Sequence, residues 1–500
     1  MDKTFLSKSS YCKGVQCEKI LWLTEFLKKD DSTDANNPIL KRGKKVGEFA
    51  KGLFGDYEDV PTDESINYRV KMTAKLLKDK PNIITEASFI YENNFCSVDI
   101  LKNDEDGVEI YEVKSNTKLK DIDMNDPAFQ YFVLTNLGFN VKKVCVVFLN
   151  TKYKREEELD INRLFHICDV TDKAQICQKE IRNKIEFLNN FKQSYDKDNE
   201  PFKEISEHCS KPRECEFWDY CTRNLPKPNV FDLNGMFTKP VTKFKKYREN
   251  KITFKDLEHE KLSEKAMEQI DFELHDRQPK ILKDEIRKFL DNLKYPLYFI
   301  DYEAFQCAIP KYDGTHSYQQ IPFQYSLHIK QNEDAPVEHK EFLAEIDDEN
   351  IVRTFAEKMI SDLPEDGSVI VYSNFEKTHV NKKLAEMYPD LKEEIERINS
   401  NIVDFEEPFK KRWYYVKEMK GRSTIKLVLP ALYPNDPELD YSNLSMVHNG
   451  TEAPQAFLSL KDQTPEQQKE TREALLKYCE LDTYAMVKIW EKLKEAINEV

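Results

Sequence analysis

No run in these 500 residues is long and apolar enough to span a bilayer, which excludes a helical membrane protein. The start, MDKTFLSKSSYCKG, lacks the apolar core of a secretory signal, so a cytoplasmic setting is expected. No internal repeat or low-complexity tract is present, which leaves out a repeat array. Positive charge is short: 76 Lys and Arg face 91 Asp and Glu, for a formal net charge of -15. That balance argues against a protein that coats polyanions. It leaves room for a nucleic-acid enzyme with a local basic track around acidic metal sites. Missing as well is a phosphate loop of the G-x-x-x-x-G-K-S/T type, so any unwinding has to come from a partner such as a helicase or defence-system component.

What is present is an apolar content of 40%, enough for about two to four cores. Residues 1–225 alternate helical and strand-like segments and end in a cysteine cluster. Residues 226–290 are polar, Lys-rich and helical in propensity, and read as a connector. Residues 291–500 alternate again up to a long C-terminal helix. Two α/β domains with a helical spacer are expected.

In KYPLYFIDYEAFQCAIP, strand alternation puts Asp301 and Glu303 on one face of a largely buried strand. Two such carboxylates repel, and a divalent cation between them is the usual remedy. SVIVYSNFEK then places Glu376 after a strand, NIVDFEEPF places Asp404 after a short apolar run, and LLKYCELDTYAM sets Tyr478 and Asp482 four apart on one helix face. Acids at a strand, a turn and a helix can converge on a two-metal site for phosphodiester cleavage. In GRSTIK, Ser423 and Lys426 are candidates to hold a phosphate, with Gly421 allowing close backbone approach. His316, Tyr318, Gln319 and Gln320 lie on a loop that could approach a nucleotide, or are ordinary polar loop residues.

Upstream, NNFCSVDILKNDEDGVEIYEVK reads as a hairpin turning near residues 105–107, with Asp99 opposite Glu112 or one place away. Glu112 and Lys114 share a face, and this set fits Mg²⁺ or Mn²⁺ plus a lysine that steadies a scissile phosphate. A helix follows, with Asp126 as its cap, Pro127 in its first turn and Gln130 one turn in; Gly138 ends it. Glu48 lies upstream in VGEFAKGLF, and Glu86 is a further acid or, more simply, a strand-edge residue. Cys209, Cys215 and Cys221 are evenly spaced, Cys12 and Cys17 lie near the other end of the same segment, and the tight C-x(2)-C pairs usual for zinc are missing.

These motifs resemble known families. Asp99, Glu112, Lys114 and Gln130 look like the RecB-type branch of the PD-(D/E)XK nucleases, with a restriction-endonuclease-like fold. Asp301, Glu303, Glu376, Tyr478 and Asp482 resemble the DEDD 3′–5′ exonucleases of the RNase H-like fold, in the variety with a tyrosine in the last motif. Glu376 stands where that family has Asp, with Asp404 as fallback. DYEAFQCAIPKYDGTHSYQQIPFQYSLHI, GRSTIKLVLPAL and LLKYCELDTYAM also resemble a bacterial two-domain family. Its members join such an exonuclease domain to an iron–sulfur nuclease domain, and the likeness runs over almost the whole chain. In iron–sulfur nucleases of the RecB type, one cysteine ligand precedes the core and three follow it. That pattern implies a [4Fe–4S] cluster on Cys17, Cys209, Cys215 and Cys221, with zinc or free structural thiols as the alternatives. The resemblance implies a nuclease of two sites acting on nucleic acid, with DNA favoured over RNA, in DNA processing or mobile-element defence. The alternatives are a nucleic-acid-binding scaffold with one or both sites inert and an RNA-processing exonuclease.

Overall fold

The computed structural model describes residues 5–27, 38–234, 240–364 and 366–498. The chain is mixed α/β and falls into two compact units: residues 1–224 with 307–318, and residues 225–306 with 319–500. Among the described residues no helix is long and apolar enough to cross a membrane.

The first unit is built on seven strands: β1 (Leu6–Ser7), β2 (Glu58–Asp59), β3 (Ile83–Tyr91), β4 (Asn94–Asp104), β5 (Gly107–Lys114), β6 (Val141–Leu149) and β7 (Phe165–Asp169). Their order is β2-β3-β4-β5-β6-β7, with β1 beside β4. β3, β4 and β5 form an antiparallel meander, and β6 runs parallel to β5. Asp104 pairs with Gly107, so the hairpin turn is only Glu105 and Asp106. Gly107 has φ +144, and a Cβ there would meet the Asn140 carbonyl oxygen at 2.2 Å, so glycine is required. The parallel step from β5 to β6 needs a crossover, supplied by the helix Asn125–Asn136. That helix is buried through Pro127–Gln130 and Phe132–Leu134, and the tilted rings of Phe129 and Tyr11 pack with centroids 4.8 Å apart. A fully buried phenylalanine contributes about 1.5–3 kcal/mol. Asp126 is not the helix cap expected: the helix begins at Asn125, so Asp126 lies inside the first turn with its carboxylate free to reach β5.

The second unit holds β8 (Lys280–Ile281), β9 (Leu297–Gln306), β10 (Gln320–Lys330), β11 (Val337–Leu343), β12 (Ser368–Val371), β13 (Ile402–Asp404) and β14 (Tyr414–Tyr415). Five of these form a sheet in the order β11-β10-β9-β12-β13, and β8 pairs with β14. β9, β10 and β11 are antiparallel, while β12 and β13 run parallel to β9. β9 is central, and its alternation sends the two sets of residues to different layers. Phe299 lies near Trp490 of the long helix Pro465–Asn498, and Tyr302 packs on Phe355 of the helix Ile351–Asp362. Asp301 and Glu303 therefore share the face that looks toward the C-terminal helix.

The segment expected as a connector is part of this unit. Its helices enclose a small core of Val230, Leu233, Phe254, Leu257, Ala266 and Ile270. Gln269 donates to the Lys420 carbonyl (3.2 Å), Glu268 pairs with Arg412 (3.3 Å), and β8 adds a short strand that helical propensity did not suggest. Residues 307–318, expected within the second domain, group with the first unit.

Candidate metal centres and cysteine cluster

The second unit gathers acids from three elements. Asp301 and Glu303 come from β9 and Asp482 from the C-terminal helix, and one oxygen of each lies within 4.8 Å of the others. Burial pushes the Asp301 and Glu303 carboxyls well above the usual range, with Asp482 and Glu376 adding to the shift. Asp482 is raised to about 6 by burial, while hydrogen bonds from Tyr441 and Tyr478 and the charge of Lys426 hold it down. Glu376 is raised to about 8 by burial and the nearby Asp404 charge. It opens the helical turn Glu376–Asn381, wound wider than an α-helix, and its Oε2 is buried without a hydrogen-bond partner. Such an orphaned oxygen is costly unless something binds it.

Around these acids, Tyr441 donates to Asp482 Oδ1 at 2.5 Å. Tyr478 is buried, and Lys426 Nζ stands 3.4 Å from its hydroxyl and over the Tyr441 and Tyr478 rings. Asp404 is occupied structurally: its Oδ1 accepts from the Ser373 and Glu406 amides, both at 2.9 Å. Glu376, not Asp404, is among the charges that raise Asp301 and Glu303. Ser423 donates to Glu406 Oε1 at 2.7 Å, so its hydroxyl is engaged there. Gly421 does permit a close approach, but to the Gln269 side chain, 2.4 Å from where a Cβ would stand. That approach is packing, not phosphate binding.

In the first unit the register runs from Asp104–Gly107 to Ile100–Tyr111, and Asp99 and Glu112 are the next residues along the two strands. Asp99 Oδ2 accepts from the Val113 amide at 2.7 Å. Glu112 is buried and takes three donors: Lys114 Nζ (2.8 Å), Gln130 Nε2 (2.6 Å) and Lys8 Nζ (2.8 Å). Lys8 also stands 3.7 Å from Asp99 Oδ1, and Lys114 pairs closely with Asp126. Burial opposes the charge on both lysines, but the surrounding carboxylates outweigh it and hold both ammoniums above their ordinary values. Asp99 is raised to about 7 by burial and by Glu112, and Asp126 is held low, where Lys114 and Lys8 outweigh its burial. Glu86 on β3 is raised by burial, adds to the shift of Asp99, and has φ +56, a strained conformation for a non-glycine strand residue. Glu48 pairs with Lys51 (3.0 Å).

The cysteines converge through the first helix. Gln16 donates to the His208 and Arg213 carbonyls, both at 2.9 Å, and Lys13 pairs with Glu216 (2.8 Å). Cys17 follows that helix, and the Cys215 amide donates to the Cys209 carbonyl at 2.9 Å. Burial pushes the Cys209 thiol up to about 11, with Cys17, Cys215 and Cys221 all adding to the shift, so the four sulfurs share one neighbourhood. A zinc ion with 2.3 Å bonds would hold its sulfurs about 3.8 Å apart. Among the described residues no three of these sulfurs lie within 4.8 Å of one another. Cys12 instead donates to Asp126 Oδ1 at 3.0 Å.

A family model described as "Domain of unknown function (DUF2779)" matches residues 298–424. The match covers Asp301, Glu303, Glu376, Asp404 and Ser423, and stops short of Lys426, Tyr478 and Asp482. No curated protein matches the chain.

Four participants escape sequence reasoning. Lys8 lies 104 positions from Glu112 and Tyr441 lies 41 from Asp482, separations at which no periodicity speaks. Asp126 was visible only as a helix cap. The fourth is a histidine pair: burial and the facing His339 push the His328 imidazole down to about 4.

Proposed function

We propose that this chain is a metal-dependent nuclease that hydrolyses phosphodiester bonds, with a DEDD-like exonuclease site in its second unit. The observation that carries this reading is the convergence of Asp301, Glu303 and Asp482 within 4.8 Å beside the orphaned Glu376 Oε2. A divalent cation held by Asp301, Glu303 and Asp482 would supply the Lewis acidity and water activation that phosphodiester cleavage needs. Tyr478 presents a buried hydroxyl beside those acids, suited to orient a water, and burial with the nearby carboxylates keeps that hydroxyl protonated. Lys426, at the exposed edge of the cluster, is the group positioned to take a substrate phosphate. Tyr441 fixes the orientation of the Asp482 carboxylate.

Asp99, Glu112, Lys114 and Gln130 support a PD-(D/E)XK reading of the first unit, with Lys114 aimed at a phosphate. A second reading has its own observation: Lys8 already lies between Asp99 and Glu112, where a cation would sit. On that reading the first site binds nucleic acid without cutting it. Cys17, Cys209, Cys215 and Cys221 would hold a [4Fe–4S] cluster that fastens both ends of the unit.

The test is degradation of matched DNA and RNA oligonucleotides with Mg²⁺ or Mn²⁺. Metal-dependent release of nucleotides from 3′ ends, lost in Asp301→Asn, is expected. Equal trimming by wild type and Asp301→Asn would leave the binding-scaffold reading. Anaerobically purified wild type should be brown and contain iron; colourless folded protein with one zinc would reject the cluster.

A further inference from the structure

We propose that His328, His339 and Glu480 form a separate site in the second unit that takes one divalent transition-metal ion of the zinc class. The register of β10 and β11 sets His328 directly opposite His339, and their rings stack with centroids 4.5 Å apart. Glu480 reaches this pair from the C-terminal helix, its Oε1 being 3.9 Å from His339 Nδ1. One ligand atom of each residue lies within 4.8 Å of the other two.

The hydrogen bonds behind the rings have the form that metal-binding histidines need. Thr483 Oγ1 engages His328 Nδ1 at 2.8 Å, and Ser326 Oγ engages His339 Nε2 at 2.9 Å. The two hydroxyls hold each other at 2.7 Å. Each ring is thus fixed through one nitrogen, which orients the other toward a ligand position. His328 is only 6% exposed, and its hydrogen bond to Thr483 uses Nδ1, which leaves Nε2 for a ligand.

The donor set decides the class. Asp301, Glu303 and Asp482 offer only oxygen, which suits Mg²⁺ or Mn²⁺, whereas two imidazoles and one carboxylate suit zinc and its neighbours. Three protein ligands leave a position for water. The His339 and Glu480 side chains are 26% and 47% exposed, so an ion can enter from solvent. Bound there, the ion joins β10 and β11 to the helix bearing Tyr478 and Asp482, pinning that helix against the sheet.

The experiment is equilibrium dialysis of the full-length protein, its cysteine cluster intact, against Zn²⁺ with Mg²⁺ in excess. Co²⁺ serves as a spectroscopic probe of the ligands. Wild type should bind one zinc more than His339→Ala or Glu480→Gln, both altered at the exposed rim. Its cobalt form should show nitrogen- and oxygen-ligated bands that the variants lack. Ser326→Ala, which removes only the support of His339, should bind about 10–100-fold more weakly. Equal zinc content and affinity in wild type, His339→Ala and Glu480→Gln would overturn the proposal. So would loss of that zinc in Asp301→Asn with retention in His339→Ala, which would assign the ion to the acids.

Discussion

The two acid clusters use the same side chains and answer their charge in opposite ways. In the first unit, Asp99, Glu112 and Asp126 are met by Lys8, Lys114 and Gln130, and the carboxylates are hydrogen-bonded within the chain. In the second, Asp301, Glu303, Glu376 and Asp482 meet two tyrosines and the exposed Lys426, and all four carboxyls are raised. Buried like charges without counter-ions are tolerated where a cation completes the set. The first cluster has two lysines among its carboxylates, whereas the second has only Lys426 at its exposed edge and keeps its carboxyls raised. Carboxylate clusters thus differ in electrostatic balance according to which cations the fold brings near.

The largest expected effect tests the second cluster. Asp482→Asn should slow 3′-end trimming on the order of 10²- to 10³-fold, because it removes a charge aimed at the reaction centre. Lys114→Ala should leave trimming intact and abolish any cutting by the first unit. Product patterns on end-labelled oligonucleotides check this, and a reversed pattern would exchange the roles of the two units. Glu376→Gln should match Asp482→Asn, whereas Asp404→Asn should trim normally.

Next in size is the neutralising role of Lys8. Lys8→Ala leaves Asp99 and Glu112 facing each other and should cost about 3–5 kcal/mol in metal-free protein, as for a broken buried ion pair. Urea unfolding should show Mn²⁺ recovering much of that loss. A change below about 1 kcal/mol would mean that the lysine is not what balances the site.

The raised carboxyls sharpen the comparison through pH. Asp482 at about 6 and Glu376 at about 8 sit above ordinary carboxyls, so over that interval the folded state binds more protons than the unfolded one. Their stabilisation is complete at acid pH and is lost as pH rises through those values. Metal-stripped protein should therefore show a falling Tm between about pH 5 and 9, and Mn²⁺ should flatten the decline. Asp99, at about 7, adds a share of the same sign from the first unit, which Asp99→Asn should subtract. A Tm that rises over this range would contradict the charge balance described.

The smallest effect separates two neighbours in the chain. Ser423→Ala should cost about 0.5–1.5 kcal/mol, one hydrogen bond to Glu406, with trimming unchanged. Lys426→Ala should weaken substrate binding with little change in Tm. If Ser423→Ala alone impairs trimming, its hydroxyl serves substrate after all.

What the sequence by itself determined was local. Alternation along β9 put Asp301 and Glu303 on one face, the hairpin brought Asp99 to within one place of Glu112, and helical spacing aligned Tyr478 with Asp482. These follow from backbone geometry over a few residues, and a reader needs no partner to see them. The tertiary structure alone decided which charges and donors meet. It brought Lys8 to Glu112 and Tyr441 to Asp482, turned Asp126 from a cap into a partner of Lys114, gave Ser423 to Glu406, and placed Glu480 beside two histidines. It also grouped residues 307–318 with the first unit. Contacts of that kind depend on packing between segments far apart in the chain, and neither period nor spacing encodes them.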